Sequence, residues 1–335
     1  MSRNASFDRR QFLSGLSAVM ATAAMPKFAN AAPAAAATKR LAGVFPIAFT
    51  PIKGKDEVNY DALAAQMHFC KRGGVHGLAW PQLASGWSVL SEKERMQGAE
   101  ALISAAKGGS TAIIIGVQSK GDLKEAERYA KQAEKLGADG IICIPPPDVS
   151  DPAQLLSYYQ KVGSFTSLPF FAQAVGDFSV DLLVEMFNRI PTFRYVKDES
   201  GEPLERVLEI RKRTNDQLKC FSGRGVATMM TEMERGFSGH CPYVSLADLY
   251  AAAYDSYHAG KTVLAFDQFG KIQAASSMFA QSDVDVLIAR GVFPQGTTLR
   301  SAPPVPGAAP PRRIKASVQD IKHVLDTYLK ADLRA

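Results

Sequence analysis

The chain is poor in the residues that announce metal or redox chemistry. Its 335 residues include five histidines and four cysteines. His68, His76, His240, His258 and His323 show no ligand spacing among themselves, and Cys70, Cys143, Cys220 and Cys241 match no zinc pattern. No metal site is therefore expected. Three of the cysteines fall on or beside expected core strands and read as buried thiols rather than a disulfide framework. Long Lys/Arg runs interleaved with aromatics are missing too. The net charge of +6 is mild and sits partly at the two ends, so nucleic acid is not an expected partner. Beyond residue 31 no apolar run is long enough to span a membrane. The segment after the first apolar run, Thr50-Pro51-Ile52-Lys53, is not a glycine-rich phosphate loop. That argues against an open dinucleotide-binding sheet.

What is present is ordinary globular composition, 46% hydrophobic and 21% charged, with length for one large core. The N-terminus stands apart. Asp8-Arg9-Arg10-Gln11-Phe12-Leu13 precedes a weakly apolar stretch from Leu16 to Met25 and then Ala29-Asn30-Ala31. Paired arginines, an apolar stretch and an A-x-A site in that order resemble a twin-arginine signal peptide. Residues 1–31 are read as that signal, the mature protein as periplasmic, and Ala32 to Thr38 as a flexible start.

From Gly43 onward eight short apolar runs alternate with longer amphipathic stretches. The runs are Val44–Phe49, Gly77–Trp80, Ala112–Ile115, Gly140–Ile144, Phe170–Gln173, Phe193–Val196, Leu218–Phe221 and His240–Val244. Most are nearly continuous, as in strands buried on both faces of a parallel sheet. Helical patterns fill Tyr60–Arg72, Glu92–Lys107, Leu123–Leu136, Asp181–Arg189, Glu205–Arg213 and Val226–Arg235, and the first three end in glycine. Eight units in unbroken order predict a (β/α)8 barrel over residues 39–246. Residues 247–335 read as a C-terminal helical region, with helices over 246–258, 263–278 and 318–333 and a Pro-rich segment at 302–312.

In such a barrel the active site lies at the C-terminal ends of the strands. Lys197 stands at the end of the sixth run, followed by Asp198, Glu199, Ser200 and Gly201. Burying an ammonium is costly, and burial favours the neutral amine, which can attack a ketone. The structural alternative is a surface lysine paired with Asp198 or Glu199.

Six islands in order carry a resemblance. They are Gly43–Pro51, Gly73–Leu78, Leu90–Arg95, Ala133–Gly140, Val196–Gly201 and Phe221–Gly225. Together they resemble the dihydrodipicolinate synthase and N-acetylneuraminate lyase superfamily of class I aldolases, over roughly Leu41 to Arg290. The resemblance implies that Lys197 forms an imine with a 2-oxo acid, that the imine acts as an electron sink, that no cofactor is needed, and that the protein is a homo-oligomer.

Departures from the family pattern are as informative. Gln82-Leu83-Ala84-Ser85-Gly86 stands where the family reads Gly-Thr-Thr-Gly-Glu. Ser85 and Gly86 are the remaining candidates there for holding a carboxylate. Pro145-Pro146-Pro147-Asp148 replaces the proline-tyrosine pair that relays protons. Ala172-Gln173-Ala174-Val175 replaces Tyr-Asn-x-Pro, and the family's arginine is lost near Asp177. Gln173 and Arg224 are further substrate-binding candidates. Asp148, Asp177, Glu199 and Tyr243 are candidate proton relays. The loops resemble the branch that dehydrates 2-oxo-3-deoxy sugar acids. The expected activity is lyase chemistry on a 2-oxo acid, by aldol cleavage or dehydration. The alternative is a degenerate periplasmic barrel that binds an acidic small molecule without turnover.

Overall fold

The computed structural model describes residues 39, 41–223, 226–279, 283–300 and 316–335. The segments read as export signal (1–31) and Pro-rich stretch (302–312) lie outside the described residues, as does Arg224.

Eight parallel strands form one sheet: β1 (Gly43–Val44), β2 (Gly77–Trp80), β3 (Ala112–Gly116), β4 (Gly140–Cys143), β5 (Phe170–Ala174), β6 (Phe193–Asp198), β7 (Lys219–Ser222) and β8 (Gly239–His240). From β2 to β8 each pairs with its neighbour in chain order, and β1 pairs with β8. The ring closes between β1 and β2 through a parallel bridge from Ile47 to Ala79, where the Ala48 N–H donates to Ala79 O at 3.0 Å. The fold is a (β/α)8 barrel followed by C-terminal helices. Strand β1 is shorter than the apolar run that marks it. Pro46 has no N–H to donate, yet the run goes on pairing beyond Val44: the Phe45 and Ile47 N–H groups donate to His240 O and Pro242 O, and Pro46 O accepts from the Ala79 N–H.

Alternation along the strands builds two cores. Phe45, Ile114, Ile142, Phe171 and Phe221 point inward and fill the barrel. Their neighbours Val44, Ile113, Ile115, Ile141 and Cys220 point outward into the layer under the helices. The inner rings interlock: Phe45 meets Phe221 edge-on at 5.2 Å, and Phe171 stacks on Tyr195 at 4.3 Å. A Cβ at Gly239 would stand 2.2 Å from the Phe221 ring, so only glycine lets that ring sit against β8.

The barrel helices are α1 (Tyr60–Arg72), α2 (Glu92–Ala106), α3 (Leu123–Leu136), α4 (Pro152–Gly163), α5 (Val180–Arg189), α6 (Pro203–Arg213) and α7 (Met229–Glu234). Local signals place their starts. Ser91 and Glu94 form a capping box at α2, and Asp151 caps α4 with Pro152 in its first turn. Helix α4 has no counterpart among the expected helical stretches.

After the barrel come α8 (Ala247–His258), α9 (Thr262–Met278), α10 (Asp283–Ala289) and α11 (Val318–Val324). They are anchored by a buried ion pair, Arg290 to Asp248 at 2.6 Å. Residues Thr298–Leu299 form an antiparallel sheet with Pro51–Lys53, which in turn pairs with Glu57–Val58. That sheet and α10 lie beside the end of the barrel where the strands finish. No helix among the described residues is long and apolar enough to cross a membrane. The four cysteines are free thiols.

Candidate active site

Strand β6 reads Phe-Arg-Tyr-Val-Lys-Asp. Side chains two apart share a face, so Lys197 continues the inward row begun by Tyr195, while Val196 and Asp198 point outward. Asp198 is tied to Arg206 of α6 at 2.9 Å. Lys197 is thus held in the barrel mouth by a strand locked from behind. It is 5% exposed, and its Nζ lies 2.7 Å from Glu199 Oε1.

The register brings Gln173 of β5 and Phe221 of β7 alongside Lys197. Gln173 Nε2 donates to the same Glu199 oxygen at 3.1 Å, and the Glu199 N–H donates to Ala174 O at 2.9 Å. Glu199 is therefore fixed between an amine and an amide. Gly223 makes this possible. A Cβ there would fall 2.3 Å from Glu199 Oε1 and 2.7 Å from Lys197 Cε.

These groups open onto a cavity of about 980 Å³. Lys197, Glu199, Gln173 and Gly223 lie on its wall with Gln82, Cys241 and Tyr243. Burial pushes the Cys241 thiol up to about 12, with the charge of Lys197 opposing and that of Glu199 adding, so it is not a nucleophile at neutral pH. The C-terminal region lines the cavity too, through Tyr250 of α8, Ser276 of α9, and Asp283 and Asp285 of α10. Burial raises the Asp283 carboxyl above the usual range, against the hydrogen bond donated by Ser245.

The residues singled out in the sequence divide clearly. Lys197, Glu199 and Gln173 converge, and Tyr243 is on the same wall, 50% exposed, with its ring 5.4 Å from Phe49. Ser85 is buried, and its polar groups are engaged by the loop and by the segment after β1. Its Oγ donates to Ala48 O at 2.6 Å and accepts from the Gln82 N–H, and its own N–H donates to Gln82 O. Gly86 adopts a left-handed turn with φ 67° beyond it. Asp148 and Asp177 are exposed and do not line the cavity. Gln82, Asp283 and Gly223 were not singled out. Gln82 appears in the sequence only as part of a divergent loop. Asp283 lies in a region that carried no chemical signal. No cluster of potential metal ligands occurs among the described residues.

A closed parallel barrel with a buried lysine at the C-terminal end of its sixth strand, paired to a carboxylate and facing a cavity, defines the class. Residues 40–288 match the dihydrodipicolinate synthetase family, and the chain belongs to it. A 4-hydroxy-tetrahydrodipicolinate synthase from Methanosarcina mazei is 24% identical over 193 residues, which cover 56% of this chain and 65% of that protein. The match thus spans just under two thirds of that relative. Among solved structures, dihydrodipicolinate synthase from Rhodopseudomonas palustris superposes with a TM-score of 0.69 at 21% identity, covering 87% of this chain and 97% of the other. A prophage protein of the dihydrodipicolinic acid synthase family from E. coli K12, solved in complex with pyruvate, gives 0.70 at 17% identity over 85% of this chain and 98% of its own. At these identities the structural likeness shows the fold.

Proposed function

We propose that this protein is a lyase that forms an imine between Lys197 and the C2 carbonyl of a 2-oxo acid, followed by aldol cleavage or dehydration. The observation that carries it is the buried Lys197–Glu199 contact of 2.7 Å at the strand end, on the wall of the cavity. The family membership and the pyruvate complex of the E. coli relative support the same substrate class.

The geometry suits each proton transfer. Glu199 takes a proton from the Lys197 ammonium, leaving an amine that attacks the ketone carbon. The resulting carbinolamine loses its hydroxyl as water when Glu199 returns that proton, and the iminium remains on Lys197. The iminium withdraws electrons from C3. A C–C bond can then break, or a C3 proton and a hydroxyl can leave. Gln173 holds Glu199 in place throughout. The proline run Pro145–Pro147 supplies no proton, and Glu199 fills that role at the lysine itself.

The test is borohydride trapping. Incubation with 2-oxo acids and borohydride is expected to add the mass of one reduced substrate at Lys197, and Lys197→Ala is expected to abolish both adduct and turnover. Binding of an acid without adduct or product would instead favour the non-catalytic barrel.

A further inference from the structure

A buried polar trio lies behind the strand ends. Ser222 closes β7 and shares the outward face of Cys220, while His240 closes β8 in register with outward Val44. Most of the layer they enter is apolar, as at Val44, Ile113, Ile141 and Val196. Here Glu232 reaches in from α7. Its Oε1 accepts from the Ser222 hydroxyl and from the Thr228 hydroxyl, each at 2.8 Å, and its Oε2 pairs with His240 Nδ1 at 2.9 Å. Ser222, Glu232 and His240 are each at most 1% exposed. A carboxylate only accepts, so His240 donates from Nδ1. Its Nε2 has no hydrogen-bond partner among the described residues, so the ring's polar anchor is Glu232.

Stability does not require such a trio. Well-packed apolar residues often replace a buried ion pair at no loss, because they carry no desolvation cost. What a fully bonded polar group adds is direction, since it fixes where its partners lie. The next residue along each strand is on the cavity wall: Gly223 after Ser222, and Cys241 after His240. The two ends are joined to each other, the Cys241 N–H donating to Ser222 O at 3.0 Å. Gly223 has no slack on its inner side. A Cβ there would fall 2.3 Å from Glu199 Oε1 and 2.7 Å from Lys197 Cε, so its backbone already lies against both. Asp198 of β6, tied from behind by Arg206, pairs in register with Ser222. The reacting pair thus sits between two strand ends, each held from outside by a helix residue.

We propose that Glu232 is a positioning residue for the reaction at Lys197. By holding Ser222 and His240 it fixes Gly223 against the Lys197–Glu199 pair and keeps amine and carboxylate at proton-transfer distance. Glu232 itself does not line the cavity. This rests on the imine reading above.

The test sets Ser222→Ala against Thr228→Ala in the full chain. Each removes one hydroxyl from Glu232, so both should lower the melting temperature by similar amounts. Of the two, only Ser222 lies on the strand that leads into Gly223. Pyruvate adducts are trapped with borohydride at set times over a concentration series and read by intact mass, with 2-oxobutyrate and 2-oxoglutarate as substitute probes. Ser222→Ala is expected to lower the maximum rate about tenfold and to leave half-saturation within about twofold, because misplaced reacting groups slow the chemical step. Thr228→Ala should stay within about twofold of wild type in both. Glu232→Gln should lose at least as much rate as Ser222→Ala. Circular dichroism checks its folding, and the Ser222–Thr228 comparison stands without it. Equal maximum rates in wild type and Ser222→Ala overturn this proposal alone. Equal losses in Ser222→Ala and Thr228→Ala do the same, as does a loss confined to half-saturation. No wild-type adduct with any of the three acids overturns the imine reading and this proposal with it.

Discussion

Lys197 and Glu199 stand two positions apart, yet they meet because Lys197 is the last inward residue of a strand and Glu199 is the first residue after it ends. The chain turns there, and the carboxylate folds back over the amine to 2.7 Å. If Glu199 moves the protons, Glu199→Gln should slow adduct formation by about a hundredfold. The amide can still accept from Lys197 but cannot hold the proton. Stopped-time trapping of wild type and variant across pH 6–9 measures this. A rate within a factor of about two at every pH would remove Glu199 from the proton path. Lys197 was legible because its placement and its surrounding motif point the same way. Ser85 was legible as a polar residue in the right loop, but not as one whose Oγ would donate inward to Ala48. That depends on how the 310 turn Leu83–Ser85 lies against β1, which no local pattern encodes.

At the scale of elements, the strand runs and glycine-ended helices were readable because periods of 2 and 3.6 are local properties. Helix α4 was readable too, since Leu155, Leu156, Tyr159 and Val162 share a helical face behind an Asp-Pro start, but the preceding prolines masked it. What joins elements is less visible. Glu232 of α7 accepts from Ser222 of β7 at 2.8 Å, from Thr228, and pairs with His240 of β8 at 2.9 Å, all but sealed from solvent. Burial pushes its carboxyl up, but His240 and the two hydroxyls outweigh this and hold it below 4.5. A lowered folded-state value means the stabilisation is complete above the unfolded value of 4.5 and is lost as pH falls through the folded one. Glu232→Gln should therefore cost about 3 kcal/mol at pH 7. The gap in melting temperature between wild type and variant should close as pH drops from 5 toward 3. A constant gap over that range would show that ionisation of Glu232 contributes nothing.

At the scale of the whole molecule, the barrel carries the lysine and the C-terminal helices carry part of the cavity wall. Neither half alone makes the cavity. The superfamily resemblance implies a homo-oligomer, so multi-angle light scattering of residues 39–335 is expected to give a mass of at least twice the monomer. A monomer across the accessible concentration range would end that expectation. The linear chain decided the barrel, because eight buried-strand runs in unbroken βα order leave few ways to close. It also decided where Lys197 sits, buried at the end of the sixth strand, because strand parity is local. The export reading and the Pro-rich stretch rest on the sequence as well. Tertiary structure alone decided the rest of the site. Gln82, Gln173 and Asp283 are separated by about a hundred residues each, and only closure of the ring and docking of α10 set them around one space. Gly223 shows the same dependence from the other side. Its lack of a side chain has meaning only because β7 runs beside β6, where a single Cβ would collide with the Lys197–Glu199 pair.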